Sequence, residues 1–109
     1  MPSAQPPMFP KQIALLTDFG ERLRLARLRR DLTIDVLCER AAISRMTLYR
    51  AERGESAVAI GTYLRILSAL KLEADLGLIA ADDRLGRLIQ DSTLAPRRTK
   101  RTASKTKSL

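Results

Sequence analysis

The stretch LCERAAISRMTLYRAERG, Leu37 to Gly54, decides how this chain folds. It holds two short helical patterns joined by about three residues, too few for the helices to lie side by side. A turn that short holds the second helix steeply against the first. The arrangement makes demands on sequence, and six positions meet them. Leu37 can face a core, and Cys38 is small where the next helix crosses. Ala42 is small in the turn, and the apolar Ile43 follows it. Leu48 and Ala51, three apart, can be buried together by the second helix. Ser44 is a good N-cap for that helix and Gly54 a good stop. With Leu48 and Ala51 inside, Arg45, Met46, Tyr49, Arg50 and Arg53 are left on the outer face. From the residues alone, those arginines are either a solvated helix face or a surface that reads something.

Working outward, Thr33 can cap a helix from Ile34 to about Ala41, with Asp35 in its first turn where the helix dipole favours an anion. Upstream, Phe19, Leu23 and Ala26 recur at helical spacing in a stretch from Asp18 to about Arg30, with Thr17 or Asp18 as cap. Leu25 and Leu28 fall off that face, as a partner surface or as isolated exposed leucines. Downstream of the polar break GESA, Tyr63, Ile66, Leu67 and Leu70 line one face of a helix over about 60–70. The apolar run Leu72–Ala81 predicts a short fifth helix. The segment DDRLGRLIQDS is either further amphipathic helix capped by Asp82 or an extended piece. No strand alternation exceeds four residues. The expected fold is all-α, a compact bundle of about five helices. Its expected parts are a flexible Pro-rich arm over 1–12, a helical domain over 13–81, an extension over 82–93 and a basic disordered tail over 94–109.

Composition narrows the function. The 109 residues suffice for one small domain, and 45% apolar content supports a core. There is no histidine and one cysteine, Cys38, so no structural zinc site and no internal disulfide are expected, and a reducing compartment fits. Cys38 reads as a packing residue, with a redox switch as the alternative. No nucleophile–base pair and no glycine-rich phosphate loop are present, which argues against an enzyme, and no cofactor is implied. The proline-rich start lacks the pattern of a signal peptide, and no apolar run approaches the ~18 residues of a membrane span. A soluble, cytoplasmic protein is expected. The net charge is +8, but residues 94–109 hold six basic and no acidic residues, so the tail carries +6 and the rest only +2. That tail is a solubilising segment, an accessory arm for phosphates, or a segment that orders on a protein. Its lack of aromatics argues against single-strand binding.

With its flanks, LCERAAISRMTLYRAERG resembles the helix-turn-helix domain of lambda-repressor-like (Cro/CI or Xre type) regulators. The resemblance covers about Phe19 to Leu76 and includes GERLRLAR, SRMTLYRAERG and YLRILSALKL in order. It implies a structural ion pair between Arg27 and Glu52. It also implies that Ser44, Arg45, Met46, Tyr49 and Arg50 face base edges or the groove wall, with Thr47, Arg53 and Arg40 toward phosphates. Arginine suits guanine because it donates two hydrogen bonds to O6 and N7, and Met46 suits a thymine methyl. Two departures stand out. Ile34 occupies a position where the family often has a phosphate-binding glutamine. Ala42 replaces the usual turn glycine, so it is expected to take a left-handed conformation at a cost of about 1 kcal/mol.

The implied function is a repressor that binds a palindromic double-stranded operator as a homodimer. The leucine-rich positions Leu76, Leu78, Ile79, Leu85 and Leu88 either close the core or form a dimer seam. The C-terminal third also resembles the extension of HipB-type antitoxins, which implies a kinase-like toxin partner as the alternative reading.

Overall fold

The computed structural model describes residues 6–94. All regular secondary structure among the described residues is helical, without a strand. Its elements are α1 (Pro10–Arg29), α2 (Ile34–Ala41), α3 (Arg45–Glu52), α4 (Ile60–Ala69), a 3-10 helix (Glu73–Leu78) and α5 (Arg84–Leu94). The chain divides into two units, Met1–Gly77 and Leu78–Leu109. The expectations for residues 1–5 and for the tail beyond Leu94 lie outside the described residues.

In the first unit, Leu23 and Ala26 of α1, Leu37, Cys38 and Ala41 of α2, Leu48 and Ala51 of α3, and Tyr63, Ile66, Leu67 and Leu70 around α4 form one buried cluster. Apolar side chains at i, i+3 and i+4 place a continuous stripe inward on each helix, and burying such side chains contributes roughly 1.5–3 kcal/mol apiece. Phe19 packs tilted on Tyr63 with ring centroids 5.1 Å apart. The Tyr63 hydroxyl donates to the Glu55 carbonyl at 2.8 Å, so its polar end is satisfied.

Four expectations are corrected. The first helix begins at Pro10, about two turns before Asp18, inside the stretch read as a flexible arm. Proline is favourable at the first helical position, where its missing N–H would have no partner anyway. The side chain of Gln12 accepts from the Phe9 N–H at 3.0 Å and closes that end. Thr17 and Asp18 lie within the helix rather than capping it. The apolar run after Leu70 forms a 3-10 helix over Glu73–Leu78 with no buried residue, not an α-helix over 72–81. Lys71, with φ 66°, stops α4, and Leu72 is the last side chain packed on the core. In the second unit, residues 84–94 are helical. The cap there is Asp83, whose carboxylate accepts from the Gly86 N–H at 2.9 Å; Asp82 instead pairs with Arg87 at 2.9 Å.

One close approach fixes where α3 sits. Gly20 of α1 lies against the end of α3, where an added Cβ would come 2.5 Å from the Gly54 nitrogen and 2.7 Å from the Glu52 carbonyl oxygen. At Gly54, with φ 71°, an added Cβ would overlap the Leu16 backbone still more closely. A side chain at either position would push α1 and α3 apart.

Candidate nucleic-acid interface

The second and third helices are set by their caps and by one unusual residue between them. The Thr33 hydroxyl accepts from the Val36 N–H at 3.1 Å and starts α2. Ala42 ends it in the left-handed region, φ 58° and ψ 49°, as the missing turn glycine implied. That conformation lets the Ile43 N–H reach the Cys38 carbonyl at 3.1 Å, closing the helix end. The Ser44 hydroxyl then accepts from the Thr47 N–H at 3.1 Å and starts α3 three residues after α2 stops.

Buried Leu48 and Ala51, both 0% exposed, anchor α3. Arg45, Met46, Tyr49 and Arg50 are exposed on its other side. The back of the helix is held by Arg27 and Glu52. The Arg27 Nε donates to Glu52 Oε2 at 2.8 Å and Nη2 to Oε1 at 3.1 Å, a bidentate pair. Nη1 also donates to the Leu32 carbonyl at 3.1 Å, tying the loop before α2 into the same lock. The hydrogen bonds to Glu52 raise the Arg27 pKa above its ordinary value, against the opposing effect of burial. The pair implied by the family resemblance is therefore present.

The outer face is also ordered by polar contacts. Arg45 Nη1 lies 3.0 Å from an Asp35 carboxylate oxygen, and Nη2 donates to the Tyr49 hydroxyl at 3.4 Å. Arg53 donates to Glu55 Oε2 from Nε at 2.9 Å and Nη2 at 2.7 Å. Arg50 Nε is 4.0 Å from the other Glu55 oxygen. The hydroxyls of Ser44 and Thr47 bond one another at 2.9 Å beside the start of the helix.

The structure thus gathers Ser44, Arg45, Met46, Thr47, Tyr49, Arg50 and Arg53 on or beside α3. Arg40 stands apart. It is five residues beyond Asp35, about 140° around α2 at 3.6 residues per turn, on the flank away from the Asp35–Arg45 contact. It lines a cavity of about 410 Å³ with Arg65, Ser68 and Lys71 near the ends of α2 and α4. Sequence reasoning passed over Asp35 and Glu55 as partners of the arginines, because their proximity crosses a turn. Gly20 was also missed as a contact point, although a glycine inside a helical pattern signals close backbone approach.

Two helices joined by a three-residue turn, the second anchored on one side and presenting basic side chains on the other, define a helix-turn-helix domain. The chain belongs to the helix-turn-helix domain family, whose model matches residues 18–76, more than half of its length. No curated protein matches the chain. The match starts within α1 and ends before α5. A helix-turn-helix domain makes the chain a candidate DNA-binding regulator, and exposed arginines stand along the outer side of α3. Among the described residues, no helix is long and apolar enough to cross a membrane.

Proposed function

We propose that the protein is a sequence-specific duplex-DNA-binding repressor that inserts α3 in the major groove, in a cytoplasmic setting. One observation carries this reading: α3 buries Leu48 and Ala51 completely while Arg45, Met46, Tyr49 and Arg50 stay exposed along its far side. A helix held by its back leaves its front for a groove. Arg45 and Arg50 are the base readers, suited to guanine, with Met46 toward a thymine methyl. Thr47 and Arg53 place the domain on phosphates, Ser44 acts through the helix start, and Tyr49 packs against the groove wall. Arg40, on the other flank of α2, contributes to binding less than these. Selection from random duplexes tests the reading. A recovered consensus with two half-sites about 34 Å apart is expected; equal affinity for selected and random duplexes at moderate salt would refute it.

The second copy of a homodimer docks through α5. Leu85, Leu88 and Ile89 are all more than half exposed and form one stripe. An isolated helix of 11 residues is marginal in water, so this face favours a cover. Arg84 and Asp91 lie seven residues apart on one flank of the stripe, and in an antiparallel pair each Arg84 meets the Asp91 of the other copy. Sedimentation should show a concentration-dependent dimer that Leu88→Asp abolishes. The antitoxin reading places a kinase-like toxin on the same face. A stable complex on co-expression with such a neighbour-encoded protein would favour it.

A further inference from the structure

Each arginine along α3 faces a carboxylate that belongs to the fold. Arg45 meets Asp35 at 3.0 Å, Arg53 meets Glu55 at 2.7 Å, and Arg50 stands 4.0 Å from Glu55. The two carboxylates come from opposite ends of the helix-turn-helix: Asp35 from the first turn of α2, Glu55 from just past the stop of α3. Three cations and two anions leave the face with one net positive charge. That is unexpected for a surface whose partner carries a dense row of phosphates. Attraction to phosphates is independent of sequence and supplies most non-specific affinity, whereas contacts with base edges supply discrimination.

The geometry of Arg45 shows what the arrangement leaves available. Asp35 holds Nη1 by an ion pair at 3.0 Å, and the Tyr49 hydroxyl takes one N–H at Nη2. A guanidinium has five N–H donors in a rigid plane, and the single one given to Tyr49 leaves four for a base while the group is held. Held this way, it can offer a pair of donors to a base without losing the freedom that a loose arginine side chain gives up on binding. Arg53 differs. Its Nε and Nη2 both go to one Glu55 oxygen, so moving to a phosphate exchanges one anion for another with little gain.

We propose that Asp35 and Glu55 are specificity-determining positioning residues. They neutralise the indiscriminate part of the attraction to DNA, and Asp35 also orients Arg45 for a base edge. This rests on the duplex-DNA reading above and adds to it that the acidic residues of the interface, and not only the basic ones, set discrimination.

The test uses the full-length chain with the selected duplex and a random duplex across a salt series. Asp35→Asn and Glu55→Gln should each raise affinity for random duplex about eightfold near 0.1 M salt and steepen its log–log salt slope by about 0.9, the increments of one added phosphate contact. Affinity for the selected site should rise less, so the ratio of the two falls severalfold. Asp35→Asn should also relax preference at the base pair read by Arg45. Asp35→Glu, which keeps the charge, should retain the wild-type slope. The proposal is overturned if affinity and slope on random duplex do not change, or if both duplexes gain by the same factor. Failure of the underlying reading looks different: the wild-type protein itself would show no preference between duplexes.

Discussion

The Arg27–Glu52 lock makes a quantitative prediction about folding. Its side chains are only 10% and 8% exposed, and the pair is bidentate. Removing one partner leaves the other charge buried without compensation, which costs about 3–5 kcal/mol. Arg27→Met additionally orphans the Leu32 carbonyl, whose lost hydrogen bond adds about 1 kcal/mol. Domains of this size have roughly 5–15 kcal/mol of total stability, so Arg27→Met or Glu52→Leu should bring the protein near the edge of unfolding. At about 4–8 °C per kcal/mol for a small domain, a fall in Tm of at least roughly 12 °C is expected. The double variant Arg27→Met/Glu52→Leu should recover much of that loss, because no unpaired charge remains and the two apolar groups can pack. Urea titration and thermal melting followed by circular dichroism, with all three variants beside the wild type, measure these differences. Single substitutions costing under about 1 kcal/mol would refute the reasoning, as would a double variant whose loss equals the sum of the singles.

Three further outcomes are expected. Arg50→Ala should abolish preference for the selected duplex while leaving the helical signal and Tm nearly unchanged, because the side chain is exposed; a large loss of stability would mean its face is misassigned. Gly20→Ala should destabilise by at least about 2 kcal/mol, because its Cβ would sit 2.5–2.8 Å from backbone atoms of the α3 end; a gain, as at an ordinary helix glycine, would contradict the close approach. Burial, aided by the nearby Asp35 carboxylate, pushes the Cys38 thiol above its ordinary range. The folded state therefore holds that proton more tightly than the unfolded state, so the associated stability is complete below about pH 8.5 and is lost as pH rises through the folded value. Urea midpoints should fall from pH 8 to pH 10, less steeply in Cys38→Ala; an identical slope in that variant would refute the assignment.

Much of the fold is legible locally. The caps Thr33 and Ser44, the stop at Gly54 and the apolar spacing of α2, α3 and α4 each depend on residues within one or two turns, so a linear reading recovers them. The family pattern adds Arg27 to Glu52, a contact across 25 positions that spacing alone does not reveal. The start of α1 was misread because Pro10 sits in a proline-rich stretch, and the same residue breaks a helix inside it but favours one at its first position. Whether residues 82–93 are helical or extended was not legible locally; α5 forms there, and its cap is Asp83, which reaches the Gly86 N–H, rather than the expected Asp82.

By itself, then, the sequence determined that the chain is helical, where the helix-turn-helix lies, and which side of α3 is inward, because a buried stripe and its caps are properties of neighbouring residues. Only the tertiary structure decided which charges meet on the outer face of α3. Asp35 reaches Arg45 and Glu55 reaches Arg53 because a left-handed Ala42 and a glycine-tight α1–α3 contact fix the angle and position of α3. The same geometry puts Arg40 on another flank. Coulombic and hydrogen-bond partners depend on distance through space, and that distance is set by packing that no local pattern encodes.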